Sequence, residues 1–112
     1  MPENCLFCKV VSGEVPATVV WQDDNAVAFE DVNPQAPTHV LVVPRKHLAD
    51  VGVLAGDPET AVALLRAIRA VAADRGLTDY RTVFNTGAQV GQSVFHVHAH
   101  VLAGRPFRWP PG

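Results

Sequence analysis

Three of the five histidines in this 112-residue chain stand at every second position of one apolar run. In QSVFHVHAHVLAGR (92–105), His96, His98 and His100 alternate with Phe95, Val97, Ala99 and Val101. Alternation with period two is the pattern of a strand buried on one face. Two strand residues advance the chain by about 6.6 Å, so the imidazoles would form a ladder about 13 Å long, with the apolar residues in the core behind it. A merely solvated face would be served by Thr, Lys or Glu, and three imidazoles in register point to chemistry instead. Two kinds are open. Imidazoles two apart on a strand can reach one metal ion, although the third lies too far away to join them easily. Alternatively, neutral imidazole is a good nucleophile at about pH 7. Its Nε2 attacks phosphorus when a backbone carbonyl fixes Nδ1–H, and a neighbouring imidazolium stabilises the phosphoryl oxygens.

The preceding loop, TGAQVGQ (86–92), favours phosphorus. Gly87 and Gly91 allow backbone N–H groups to approach an anion, and Gln92 and Ser93 add side-chain donors. Glycines alone are weak evidence, since any hairpin loop uses them, but here they stand beside three histidines. A second constellation, Cys5-Leu6-Phe7-Cys8, has half the spacing of a zinc site. Two buried thiols or a redox dithiol are the other readings, although a redox dithiol usually follows a strand and only four residues precede Cys5. His39 begins an otherwise apolar run and reads as a satisfied structural histidine.

These groups need a scaffold, and the chain length suits one domain over residues 1–112 with one modest core. A composition of 48% hydrophobic and 18% charged residues is that of an ordinary globular protein. The net charge of −2 comes without a basic stripe, which argues against a generic nucleic-acid binder. No apolar run approaches the roughly 20 residues that span a bilayer, and the first ten residues lack the features of a signal peptide. A cytoplasmic protein is expected, with its cysteines reduced.

Along the chain, residues 5–12 predict a short helix stopped by Gly13. TVVWQ (18–22), AVAFE (26–30) and HVLVV (39–43) predict three strands, the last ended by Pro44. Asp57-Pro58 starts a helix running to about Arg75, with Ala61, Leu64, Leu65, Ile68, Val71 and Ala72 as its buried stripe. YRTVFN (80–85) and SVFHVHAHVL (93–102) add two strands. The expected fold is α+β, an antiparallel sheet of about five strands with one long helix packed on it. The tail FRWPPG (107–112) cannot pair in a sheet. Phe107 and Trp109 are therefore expected against another surface, on their own subunit or a partner.

The run from Gly91 to Leu102 resembles the signature of the histidine-triad superfamily. FCKVVSGEVPA, AFEDVNPQAPTHVLVVPRKH, VFNTGAQVGQS and the terminal WPPG are similar to its nucleotide-binding branch, the purine nucleoside phosphoramidases. The likeness covers nearly the whole chain and is weakest in residues 49–79. It implies cleavage of purine nucleoside 5′-phosphoramidates, with His98 as the nucleophile that becomes nucleotidyl-histidine. His100 and Ser93 would hold the phosphate oxygens, and His96 would supply the carbonyl that orients His98. Asn85, Gly91 and Gln92 would lie by the phosphate and sugar, Asp31 by the ribose hydroxyls, and Phe7, Phe29 and Val32 around the purine. The resemblance also implies a structural zinc on Cys5, Cys8, His47 and His96. It further implies a homodimer with a sheet continued across the two subunits, and Trp109 near the partner's pocket. A diadenosine-polyphosphate hydrolase, a non-catalytic nucleotide binder and a pure metal-binding module are the competing readings.

Overall fold

Five strands form one antiparallel sheet in the computed structural model, which describes residues 4–112. They are β1 (Val19–Gln22), β2 (Ala26–Glu30), β3 (Thr38–Pro44), β4 (Arg81–Val83) and β5 (Ala99–Ala103), and in space they run β1-β2-β3-β5-β4. Three helices accompany them: α1 (Leu6–Ser12), α2 (Val51–Leu54) and α3 (Pro58–Asp74). The helix starts follow capping chemistry. Asp57 accepts from the Thr60 N–H with Pro58 in the first turn, and Asp50 caps α2 in the same way. Gly13 ends α1 at φ 83°, a conformation that costs glycine nothing. None of the described helices is long and apolar enough to cross a membrane.

Strand alternation gives the sheet two apolar faces. Ala26, Ala28, Val40, Val42, Ala99 and Val101 point to α3, which meets them with Leu64, Ala67, Ile68 and Val71. Val27, Phe29, Leu41 and Val43 point the other way, onto Cys5, Phe7, Cys8 and Val10 of the α1 region. The expected single helix layer is thus joined by a thin second one. Leu65 departs from expectation: it is 60% exposed, and Ala67 takes the buried place. A stripe through 64, 67, 68 and 71 follows the helical period, and Leu65 lies off it.

The histidine run departs further. Only Ala99–Ala103 is strand, and residues 93–98 form an irregular approach to it. The β3–β5 ladder ends at the Val42–Ala99 pair. Beyond it the Pro44 carbonyl is taken by the His96 imidazole, whose Nε2 lies 2.8 Å away, while the Val97 N–H donates to Leu48 O at 2.7 Å. A side chain has replaced the ladder, and the strand peels off. Phe95, expected in the core, is consequently 53% exposed. The strand expected over 80–85 shortens to three residues, and Ala88–Val90 form a 3₁₀ turn. In the tail, Phe107 lies against the guanidinium groups of Arg105 and Arg81, 4.2 and 5.1 Å from its ring centre. Its cover therefore comes from its own subunit, whereas Trp109 is 83% exposed.

Candidate active site

His98 and His100 lie side by side on the α1 side of the sheet, their ring centres 5.0 Å apart. His100 is carried by β5 opposite Leu41, and His98 by the segment that leads into the strand. Both line a cavity of about 710 Å³ together with Ser93, Asp31, Phe7, Phe29 and Val32, a size suited to a small-molecule ligand. The rest of its lining is apolar, including Val10, Val15, Leu41 and Val94, apart from Thr18 and Glu30. Phe7 stands edge-on to Phe29 (5.4 Å) and to His98 (4.9 Å), between the apolar end and the imidazoles. Leu6, Val15 and Val94 were not distinguishable as site residues in the sequence, because only the packing of the α1 region on the sheet brings them to one cavity.

Hydrogen bonding fixes the proton on His98. Its Nδ1 lies 2.9 Å from the His96 carbonyl, and a carbonyl only accepts, so Nδ1 carries the hydrogen and neutral His98 leaves a lone pair on Nε2. Nε2 has no partner among the described residues. Burial is the main cause that lowers the His98 pKa, with the bond to His96 and the Asp31 charge opposing it. The ring is thus neutral at neutral pH, as a nucleophile must be. Burial, followed by the proximity of His98 and His39, brings His100 down to about 4. The expected imidazolium beside the nucleophile is therefore replaced by a neutral ring. Any stabilisation it gives must come through an N–H bond.

Several N–H groups of the glycine loop, expected to cradle phosphate, are engaged within the loop itself. The Gly87 N–H donates to Gln92 Oε1, the Gly91 N–H to Ala88 O and the Gln92 N–H to Gly87 O. Gln92 is buried, and its amide nitrogen donates to Ala49 O and Val94 O at 2.8 and 3.2 Å. Its side chain pins the loop and offers nothing to a ligand. Gly87 and Gly91 are required by their positive φ, 99° and 103°. Ser93 remains, exposed at the cavity rim with neither its hydroxyl nor its N–H bonded among the described residues. Asn85, Gly91 and Trp109 do not line the cavity of this single chain.

His96 belongs to a second site. It is fully buried, and its Nδ1 lies 3.4 Å from Cys5 Sγ, 3.5 Å from Cys8 Sγ and 3.3 Å from His47 Nδ1. Cys8 Sγ lies 3.4 Å from His47 Nδ1. A tetrahedral zinc ion with bonds of about 2.3 Å to sulfur and 2.0–2.1 Å to nitrogen sets two nitrogens, or a nitrogen and a sulfur, roughly 3.3–3.6 Å apart. All four distances fall there. The bond from His96 Nε2 to Pro44 O puts the ring hydrogen on that nitrogen and leaves Nδ1 free to ligate. Burial also lowers the His96 pKa, favouring the neutral ring a metal requires. The four residues expected to hold zinc thus come together from the start of α1, the loop after β3 and the approach to β5.

The chain belongs to the HIT domain family, whose pattern it matches over residues 12–107. It is 48% identical to an uncharacterised HIT-like protein of Synechocystis sp., with both chains covered in full. It is 42% identical to the 14 kDa zinc-binding protein of Zea mays, over 96% of this chain and 87% of that one. Among solved structures, a HIT family hydrolase from Legionella pneumophila superposes with a TM-score of 0.91 at 47% identity. The match covers 97% of this chain and 100% of the other.

Proposed function

We propose that this HIT protein is a hydrolase of purine nucleoside 5′-phosphoramidates that works through a nucleotidyl-histidine intermediate. The observation that carries the reading is the His98 Nε2, without a partner among the described residues, on a ring held through Nδ1 by the His96 carbonyl in a cavity with one apolar and one polar end. Nε2 attacks phosphorus, an N–P bond forms, and the substrate P–N bond breaks as the amine departs with a proton drawn from solvent. The positive charge gained by the ring is shared with the His96 carbonyl through Nδ1–H. Water then attacks phosphorus, the bond from phosphorus to Nε2 breaks, a proton returns to solvent, and the nucleoside monophosphate leaves neutral His98 behind. Ser93 and His100 serve as donors to the phosphoryl oxygens. Phe7, Phe29 and Val32 enclose the base and Asp31 meets the ribose hydroxyls, while Asn85 and Gly91, which stand outside the cavity lining, are assigned to the phosphate side by family resemblance. Rapid-quench incubation with an adenosine 5′-phosphoramidate should yield one covalent nucleotide per chain. Turnover with no trapped adduct under single-turnover conditions would reject the covalent route.

We also assign a structural zinc ion to Cys5, Cys8, His47 and His96, supported by the ligand distances and by the Zea mays relative's name. The two thiols are not joined in a disulfide, in keeping with a cytoplasmic setting.

The protein is further expected to act as a C₂ dimer that continues the sheet across β4. This short strand is an edge of the sheet, and α3 exposes Val62 and Leu65 one turn apart. Trp109 would then meet the partner's pocket. Deleting residues 107–112 should change the ranking of phosphoramidate substrates more than it weakens the dimer, as read by kcat/KM and light scattering. A monomer at micromolar concentration removes the dimer, and unchanged relative specificities remove the role of the tail.

A further inference from the structure

His39 is buried, and its ring is bonded at both nitrogens. The Gln35 backbone N–H donates to His39 Nδ1 at 3.0 Å. An amide N–H only donates, so Nδ1 accepts and the hydrogen of His39 resides on Nε2. That Nε2 lies 2.9 Å from His100 Nδ1 and 3.4 Å from Asp31 Oδ2. The Nε2–H therefore has His100 Nδ1 as its main acceptor and the Asp31 carboxylate as a weaker one. His100, receiving a hydrogen bond at Nδ1, must in its neutral form carry its own hydrogen on Nε2, which has no partner among the described residues.

We infer that His39 is a positioning residue: the backbone of Gln35 fixes its tautomer, and it fixes His100 as an Nε2–H donor toward the cavity. His98 and His100 are then held in opposite tautomers by opposite partners. The carbonyl of His96 puts the hydrogen of His98 on Nδ1, and the Nε2–H of His39 puts that of His100 on Nε2. One ring presents a lone pair and its neighbour a donor, as attack on a phosphoryl group requires. The low pKa of His100, about 4, agrees, because a doubly protonated ring could not accept from His39.

The loop that imposes this is braced from two sides. The Gln35 carbonyl accepts from Arg105 Nε and Nη2 at 3.2 and 2.9 Å, and the Asn33 N–H donates to Asp31 Oδ1 at 2.8 Å. Asp31, His39 and His100 also group closely enough to suggest a metal. The 2.9 Å between the two imidazole nitrogens is nevertheless a hydrogen-bond distance, short of the roughly 3.3 Å set by a shared tetrahedral zinc. The catalytic consequence rests on the phosphoryl-transfer reading above. The position of the hydrogen is measured without substrate, so the two can fail separately.

The test is imidazole ¹⁵N NMR on the zinc-loaded, ¹⁵N-histidine-labelled protein at neutral pH, with His100 assigned by loss of its signals in His100→Gln. The unmodified protein should show His100 protonated on Nε2 and unprotonated on Nδ1, the reverse of His98. His39→Phe should let His100 move to a mixture of tautomers and lower kcat about tenfold or more, with KM nearly unchanged. That loss falls short of the roughly hundredfold that removing an oxyanion donor outright costs. His39→Gln, which keeps an N–H donor at the end of its side chain, should retain the His100 tautomer and recover most of the turnover. The inference is overturned by a His100 protonated on Nδ1 in the unmodified protein, a reading that needs no variant to fold. It is equally overturned by an unchanged tautomer in His39→Phe, or by a second equivalent of zinc that binds at micromolar concentration and shifts the His39 and His100 signals.

Discussion

His98→Ala should lose at least about a thousandfold in kcat on an adenosine phosphoramidate, in line with the loss of a nucleophile from a covalent mechanism. The same variant should still bind AMP, because Phe7, Phe29, Asp31 and Ser93 keep their places around the cavity. Phe7 loses one edge-on neighbour but retains its packing on Phe29. Steady-state rates together with calorimetric titration of AMP check both halves. Turnover near that of the unmodified protein would remove His98 from its role. Full loss of AMP binding would mean that the ring holds the pocket together and that the rate says nothing about nucleophilic attack.

Metal analysis of protein purified without chelator should give about one zinc per chain. The double variant Cys5→Ser/Cys8→Ser should lose the metal and melt about 15 °C lower. Binding at a thousandfold excess over Kd contributes roughly 4 kcal/mol, and each kcal/mol moves the midpoint of a chain this size by about 4 °C. Turnover should survive within about tenfold, since His98 is held by the backbone carbonyl of His96 and not by its ring. The pH dependence has a definite sign. Burial, with the neighbouring Cys5, pushes the metal-free Cys8 thiol up to about 11, so zinc must displace a proton and binding weakens as pH falls. A metal-free native preparation with reduced cysteines would reject the zinc assignment and leave the phosphate chemistry standing.

Much of this was legible in residue types and spacing. Short apolar runs bounded by turn residues and by Pro44 located β2 and β3, and Asp57-Pro58 located the start of α3, because turn and capping signals are local. That His98 and His100 stand side by side at a cavity was legible because three imidazoles in one apolar run have no cheaper explanation. What escaped notice depends on partners far away in the chain. Period two in 95–101 read as one strand, since nothing local reveals that the His96 ring occupies the Pro44 carbonyl and ends the ladder. Gln92 read as a phosphate donor because its sequence neighbours are Gly91 and Ser93, whereas its acceptor Ala49 lies 43 residues away. His39 read as structural, and its link to His100 follows from the β3–β5 register, in which it sits diagonally from that residue.

The unequal cover of the two sheet faces divides the molecule's labour. One face is sealed by the 17-residue α3, the other only in part by the 7-residue α1, and the uncovered remainder of that second face is the cavity. Folding is underwritten chiefly on the α3 side, so Leu6, Val15 and Val32, which border the cavity without belonging to either core's buried set, are open to exchange at little cost in stability. Ligand preference can drift through these rim residues while the scaffold stays fixed, whereas Phe7 and Phe29, which line the cavity and also belong to the buried core, are held by both duties.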